Sequence, residues 1–323
     1  IWHDLEAERH AIDAAIPDVA SVYGAQDLDE REQTIIEFSD GRIRELAAKP
    51  VIAGSGSDQV NKPRLGVTLT PSSGRDIILG DNGEIVFSAP GVLESVFTTD
   101  ASYGASDWID AGAGADVVIG GAGGDYLYAG GDSDADIIIG DEASLSFDEA
   151  GELIFATSLV PNSGGGDIIE TGGGDNIVIG GVGADTITAG AGADIILGDS
   201  GSIAFSAAGV LSVIETMAPT YGGVDTIDAG AGADIVVGGA LGDILFAGGD
   251  TDADIILGDE GRIEFDTNGF VSSVLTTSPD TGGADIIETG GGDNIVLAGT
   301  GDDEINKPRD GRVLTAPTGR DIL

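Results

Sequence analysis

Gly190-Ala191-Gly192-Ala193-Asp194-Ile195-Ile196-Leu197 states the phrase on which this chain is built: two glycines, an aspartate, then a short aliphatic run. The same phrase stands at Gly112-Ala113-Gly114-Ala115-Asp116-Val117-Val118-Ile119 and at Gly230-Ala231-Gly232-Ala233-Asp234-Ile235-Val236-Val237. Its beat is nine residues, as in Asp107, Asp116, Asp125 and Asp134, or Asp225, Asp234, Asp243 and Asp252. A short fixed period is the mark of stacked coils, each turn of chain resting on the next. Glycine lets the backbone turn sharply, and the aliphatics after each aspartate fit a very short strand with one side chain pointing inward. An aspartate repeated at a tight turn offers oxygens to a hard cation.

Composition points the same way. The 323 residues carry 13 basic and 57 acidic side chains, a net charge of −44, yet 41% are hydrophobic and fall in compact runs. A foldable apolar pattern under so much negative charge requires a positive partner, and divalent cations supply it. Nothing basic clusters strongly enough to meet phosphates, so nucleic acid and anionic membrane surfaces are disfavoured as partners. Glycine occupies 55 positions, and ordering so much of it calls for a strong compensating term such as metal binding coupled to folding. Without cysteine there is neither a disulfide framework nor a thiolate metal site. No apolar run is long enough to span a membrane, and no secretory signal is visible at the N-terminus.

A longer rhythm overlies the short one. Gly80-Asp81, Gly140-Asp141, Gly198-Asp199 and Gly258-Asp259 open similar blocks at intervals of 60, 58 and 60 residues. Each is followed by a Phe (87, 147, 205, 265), a Gly four residues later (91, 151, 209, 269), and then an apolar stretch, which predicts β-hairpins over 82–103, 142–163, 200–221 and 260–281. Alternate blocks are closest in sequence, giving a 118-residue double unit. Residues 53–64, ending Asn61-Lys62-Pro63-Arg64, return at 298–309, ending Asn306-Lys307-Pro308-Arg309, and Gly74-Arg75-Asp76-Ile77 returns at Gly319-Arg320-Asp321-Ile322. The chain reads as an excerpt of a longer repetitive polypeptide. Residues 1–33 form a separate segment that includes a short predicted helix closed by Pro17, a candidate end cap. Residues 34–81 add a hairpin around Asp40-Gly41 and a coil poor in aspartate, and 82–323 form the main roll.

The phrase matches Gly-Gly-x-Gly-x-Asp-x-(apolar)-x, and from about residue 53 onward the chain resembles the RTX calcium-binding β-roll proteins. The resemblance implies an all-β parallel β-roll or β-solenoid, here with regularly spaced hairpin insertions, and several bound Ca2+ ions. It also implies calcium between successive turns on each edge, which pairs Asp107 with Asp125, Asp116 with Asp134 or Asp136, Asp167 with Asp185, and Asp175 with Asp194. Further pairs are Asp225 with Asp243, Asp234 with Asp252 or Asp254, and Asp285 with Asp302 or Asp303. Asp76, Asp81, Asp141, Asp199 and Asp259 are further candidate ligands, as are Asp132 and Asp250 in acidic turns and Asp293 in its shortened one.

Spacings of eight and ten around Asp175, and of eight before Asp293, suggest shortened or bulged turns. Asp58 to Asp76 and Asp303 to Asp321 read as full coils lacking a middle aspartate, where Lys62, Arg64, Lys307 and Arg309 substitute for calcium. No His-Glu-x-x-His, Gly-x-Ser-x-Gly or phosphate-loop motif occurs, and His3 and His10 alone do not make a zinc site. The chain is therefore expected not to be an enzyme. Calcium at millimolar levels is an extracellular condition, and the resemblance implies a bacterial surface-layer, adhesin-stalk or fibre segment that self-associates into a lattice. A ligand-binding adhesin module and a type I secretion module of an exported enzyme remain as alternatives.

Overall fold

A computed structural model describes residues 51–62, 74–88 and 92–307, together with Ala20–Ser21, Leu46–Ala47 and Ile322. The chain divides into two compact units. In the smaller one, Ala20–Ser21 pairs in parallel with Leu46–Ala47. The helix expected before Pro17 and the hairpin expected around Asp40-Gly41 lie outside the described residues, and among those described there is no helix.

The larger unit is a parallel roll, all β. Its first sheet has nine parallel strands, from Gln59–Val60 and Trp108–Asp110 through Tyr126–Tyr128 and Thr186–Thr188 to Glu304–Ile305. Its second sheet also has nine, among them Ile77–Leu79, Val117–Ile119, Ile137–Ile139, Ile195–Asp199 and Ile295–Leu297. The chain alternates between the two, and equivalent residues stack in register: Ile109 on Leu127 and Val118 on Ile138. The middle residue of every three-residue strand points into the roll. Ile109, Leu127, Ile169, Ile187, Ile227 and Leu245 from one sheet meet Val118, Ile138, Val178, Ile196, Val236 and Ile256 from the other.

The two sheets differ in what flanks that central residue. First-sheet strands such as Thr226-Ile227-Asp228 and Thr186-Ile187-Thr188 carry polar neighbours on the outer face, although Ile244-Leu245-Phe246 is apolar throughout. Second-sheet strands read Ile137-Ile138-Ile139 or Ile195-Ile196-Leu197 because their outer face is buried too. A third sheet covers it, eight antiparallel strands made of four hairpins: Gly83–Ser88 with Val92–Thr98, Ala143–Phe147 with Leu153–Ser158, Gly201–Phe205 with Leu211–Thr216, and Gly261–Phe265 with Val271–Thr276. Leu79, Ile119, Ile139, Ile179, Leu197 and Leu257 pack there against Leu93, Val96, Leu145, Ile203, Ile214 and Ile263. Each hairpin has a register shift at its Phe, at 87, 147, 205 and 265, which explains why that residue recurs.

Hairpins occur on every second coil for a geometric reason. A hairpin is two strands wide, about 9.6 Å at the usual strand spacing, and two coils advance the roll by the same distance. Neighbouring hairpins therefore meet edge to edge, Leu145 opposite Val96, Ala156 opposite Ile203 and Ile214 opposite Ile263.

Candidate metal centre

Two ladders of aspartate run along the roll, one at each edge. On the first edge the backbone N–H of Asp58 donates to Oδ1 of Asp107 at 2.7 Å, Asp107 to Asp125 at 2.7 Å, and Asp125 to Asp167 at 2.7 Å. The series continues through Asp185, Asp225, Asp243 and Asp285 to Asp303. On the second edge Asp76 donates to Asp116, Asp116 to Asp136, Asp136 to Asn176, Asn176 to Asp194, Asp194 to Asp234, Asp234 to Asp254 and Asp254 to Asn294. Each carboxylate thus grips the same position one coil away. Only one oxygen is used in this way.

The other oxygen is what makes the edges candidate cation sites. Oδ2 of Asp107, Asp116, Asp125, Asp167, Asp185, Asp194, Asp225, Asp234, Asp243 and Asp285 is buried without a hydrogen-bond partner. Burying an ionised carboxylate without a partner is costly, and neutral pH then favours protonation or a cation. Burial, reinforced by neighbouring carboxylates, raises Asp125 to about 8, Asp243 to about 9 and Asp254 to about 8. Asp116, Asp136 and Asp234 each rise to about 7 for the same reasons, and Asp167 rises further beside Asp141 and Asp185. A row of hard, unpaired oxygens at one-coil spacing suits Ca2+, which takes six to eight oxygens in flexible geometry. Among the described residues no three acidic or histidine side chains close on a single point, so a full shell must also draw on turn carbonyls.

The ladders correct several sequence expectations. The second-edge residue at the Asp175 turn is Asn176, buried, while Asp175 is exposed and accepts the N–H of Ala193. Asn294, not Asp293, holds the equivalent place in its turn. The spacing there is nine throughout, and the inferred shortened turns do not exist. Asparagine keeps the acceptor oxygen the ladder needs, and its amide also donates to Asp194 at 2.9 Å.

In the acidic turns Asp136 and Asp254 are the ladder residues, not Asp134 and Asp252, which are exposed. Asp132 and Asp250 each cap their own turn and accept Gly114 N–H and Gly232 N–H. Asp303 holds the ladder position beside an exposed Asp302. Asp58 and Asp76 do not lie one coil apart on the same edge: Asp58 donates to Asp107 on the first edge and Asp76 to Asp116 on the second.

Asp141, Asp199 and Asp259 stand off the ladders, each accepting two backbone N–H groups, one from beyond its own hairpin and one from the next coil: Gly165 and Val182, Gly223 and Ala240, Gly283 and Thr300. Asp81 accepts Ala122 N–H. Lys62 lies with Nζ 4.7 Å from the Trp108 ring centre, and Lys307 pairs with Glu304 at 3.4 Å. Arg64 and Arg309 lie outside the described residues.

The RTX calcium-binding nonapeptide repeat matches this chain in four copies, over residues 103–136, 163–202, 220–245 and 280–306. Four stretches of the chain between residues 103 and 306 are RTX calcium-binding repeats. The first three segments fall largely between successive hairpins and the fourth follows the last hairpin, and RTX repeats bind Ca2+ at multiple sites. No curated protein and no solved structure matches the chain. No described helix is long and apolar enough to cross a membrane.

Proposed function

We propose that this RTX roll is a calcium-stabilised structural segment of an extracellular bacterial protein, a spacer or lattice element and not a catalyst. The observation that carries the reading is the pair of ladders, in which ten aspartates each leave a buried, unpartnered Oδ2 for a cation. Their ligands are the Asp residues of the two edges, with Asn176 and Asn294 as neutral members, and the exposed turn acids add surface charge. Regularity supports a structural role, since the same coil and hairpin recur along the whole roll and give lateral contacts a repeated surface. A sugar-gripping aromatic platform is disfavoured. Trp108 and Tyr126 stack on one another with centroids 3.9 Å apart, and Lys62 covers the tryptophan, so the ring faces are occupied within the chain.

Equilibrium dialysis with calcium tests the reading. The chain should take up several equivalents with millimolar-range affinity, as in weak extracellular sites, and Asp234→Asn should lower the count. Absence of calcium uptake would refute it.

A further inference from the structure

Asn176 and Asn294 hold ladder positions that aspartate holds in the other described turns of the second edge. They stand 118 residues apart, one in each double unit, and both are buried at 0% exposure. The ladder itself fixes how their side chains are turned. Oδ1 of Asn176 accepts the Asp136 N–H at 3.0 Å, and Oδ1 of Asn294 accepts the Asp254 N–H at 2.8 Å. The amide nitrogen therefore takes the place where a ladder aspartate carries Oδ2.

At that place the two residue types part. Oδ2 of Asp116, Asp194 and Asp234, on the same edge, is buried without a hydrogen-bond partner. Nδ2 of Asn176 instead donates to the Gly174 carbonyl at 2.9 Å and to Oδ1 of Asp194 at 2.9 Å. Nδ2 of Asn294 donates to the Thr289 and Gly291 carbonyls, both at 3.2 Å. A side-chain amide has two N–H donors, and each asparagine uses both. Aspartate has none, so the same acceptors would face an anionic oxygen and call for a cation between them. Turn carbonyls and a ladder carboxylate are also the kinds of oxygen that a calcium shell takes.

We propose that the side-chain amides of Asn176 and Asn294 replace calcium at their two turns, so that the second edge closes there without an ion. The inference rests on the calcium reading above and gives the two asparagines a definite part in it. They keep the ladder's hydrogen bond and remove the need for a cation. The amide holds its partial positive charge in a fixed place, whereas calcium must be drawn from solution and held by acidic ligands. The two edges then differ. On the first, every described ladder aspartate from Asp107 to Asp285 leaves an unpartnered Oδ2, an unbroken row. The second is interrupted once per double unit, and its ions fall into separate groups.

Equilibrium dialysis at saturating calcium counts the ions held by the full chain and by its variants. Asn176→Asp and Asn294→Asp should each add one bound calcium, because each restores an unpartnered Oδ2. Asn176→Ala should leave the count unchanged and lower the calcium-saturated melting temperature, since it removes hydrogen bonds and no ion. Asn294→Asp and Asn294→Ala carry the same test if an Asn176 variant fails to fold. A count lowered by the alanine change would make asparagine itself a calcium ligand and overturn the inference. Counts unchanged in both aspartate variants overturn it as well. A native chain that binds no calcium overturns the parent reading instead.

Discussion

At the scale of single residues, the ladder aspartate does two jobs with two oxygens. Oδ1 replaces a missing backbone acceptor at the turn, and Oδ2 presents charge to the edge. This gives calcium-free protein a pH dependence of definite sign. In the unfolded chain these carboxylates titrate near 3.8, whereas burial raises Asp194 to about 6, Asp234 to about 7 and Asp243 to about 9 in the fold. A raised folded value adds stability that is complete below about pH 4 and is lost as pH climbs through about 6 to 9. In chelator, β-structure followed by circular dichroism should therefore be greater at about pH 5 than at about pH 9. The opposite trend would contradict the burial of these groups.

Glycine gives a second residue-scale contrast. Gly230 has φ +95° and stands where a Cβ would lie 1.8 Å from the Gly190 carbonyl, while Gly209 has φ +73° at a hairpin tip with nothing within 4 Å. Alanine at Gly230 should cost roughly 2–5 kcal/mol from strain and overpacking together, and at Gly209 about 1 kcal/mol from strain alone. Calcium-saturated thermal melts compare them, and equal losses would mean that coil contact plays no part.

At the scale of elements, the outer face separates the two sheets. Thr186-Ile187-Thr188 lies in the first sheet with its flanking residues exposed, and Ile195-Ile196-Leu197 lies in the second, beneath the hairpins, while the apolar Ile244-Leu245-Phe246 belongs to the first sheet. Leu197→Ala should cost about 2–5 kcal/mol through a cavity between the sheets, and Thr186→Ala on the open face should stay within about 0.5 kcal/mol. Similar melting losses in both would contradict the three-layer order.

The roll and its hairpins were legible because a fixed period and a hairpin around each Gly survive any choice of register. Which sheet an aliphatic run joins was not legible from its flanking residues alone, since Ile244-Leu245-Phe246 is apolar throughout yet lies in the first sheet. The ladder's true membership was harder to see. Aspartate alone was counted, and Asn176 and Asn294 disappear from such a count although they hold the nine-residue spacing. Similarly, Asp58 and Asp76 are eighteen apart, a spacing that mimics one coil although the two belong to opposite edges.

At the scale of the whole molecule, coil rise and hairpin width must stay commensurate. Removing residues 140–197, one hairpin with its two coils, should leave a shorter but cooperative roll. Removing only residues 168–185, a single coil, places two hairpins about 4.8 Å apart where each needs about 9.6 Å, and should melt the third sheet. If the smaller deletion is the better tolerated, the packing of the third sheet is not as described.

The glycine-rich chain carries a net charge of −44, and divalent ions are the term that holds its roll together. Far-UV circular dichroism of chelator-stripped protein at about pH 7.5, titrated with calcium, tests this most directly. A largely disordered spectrum that turns to β-structure near millimolar calcium is the expected result. A fully formed β spectrum in chelator, unchanged by calcium, would contradict it.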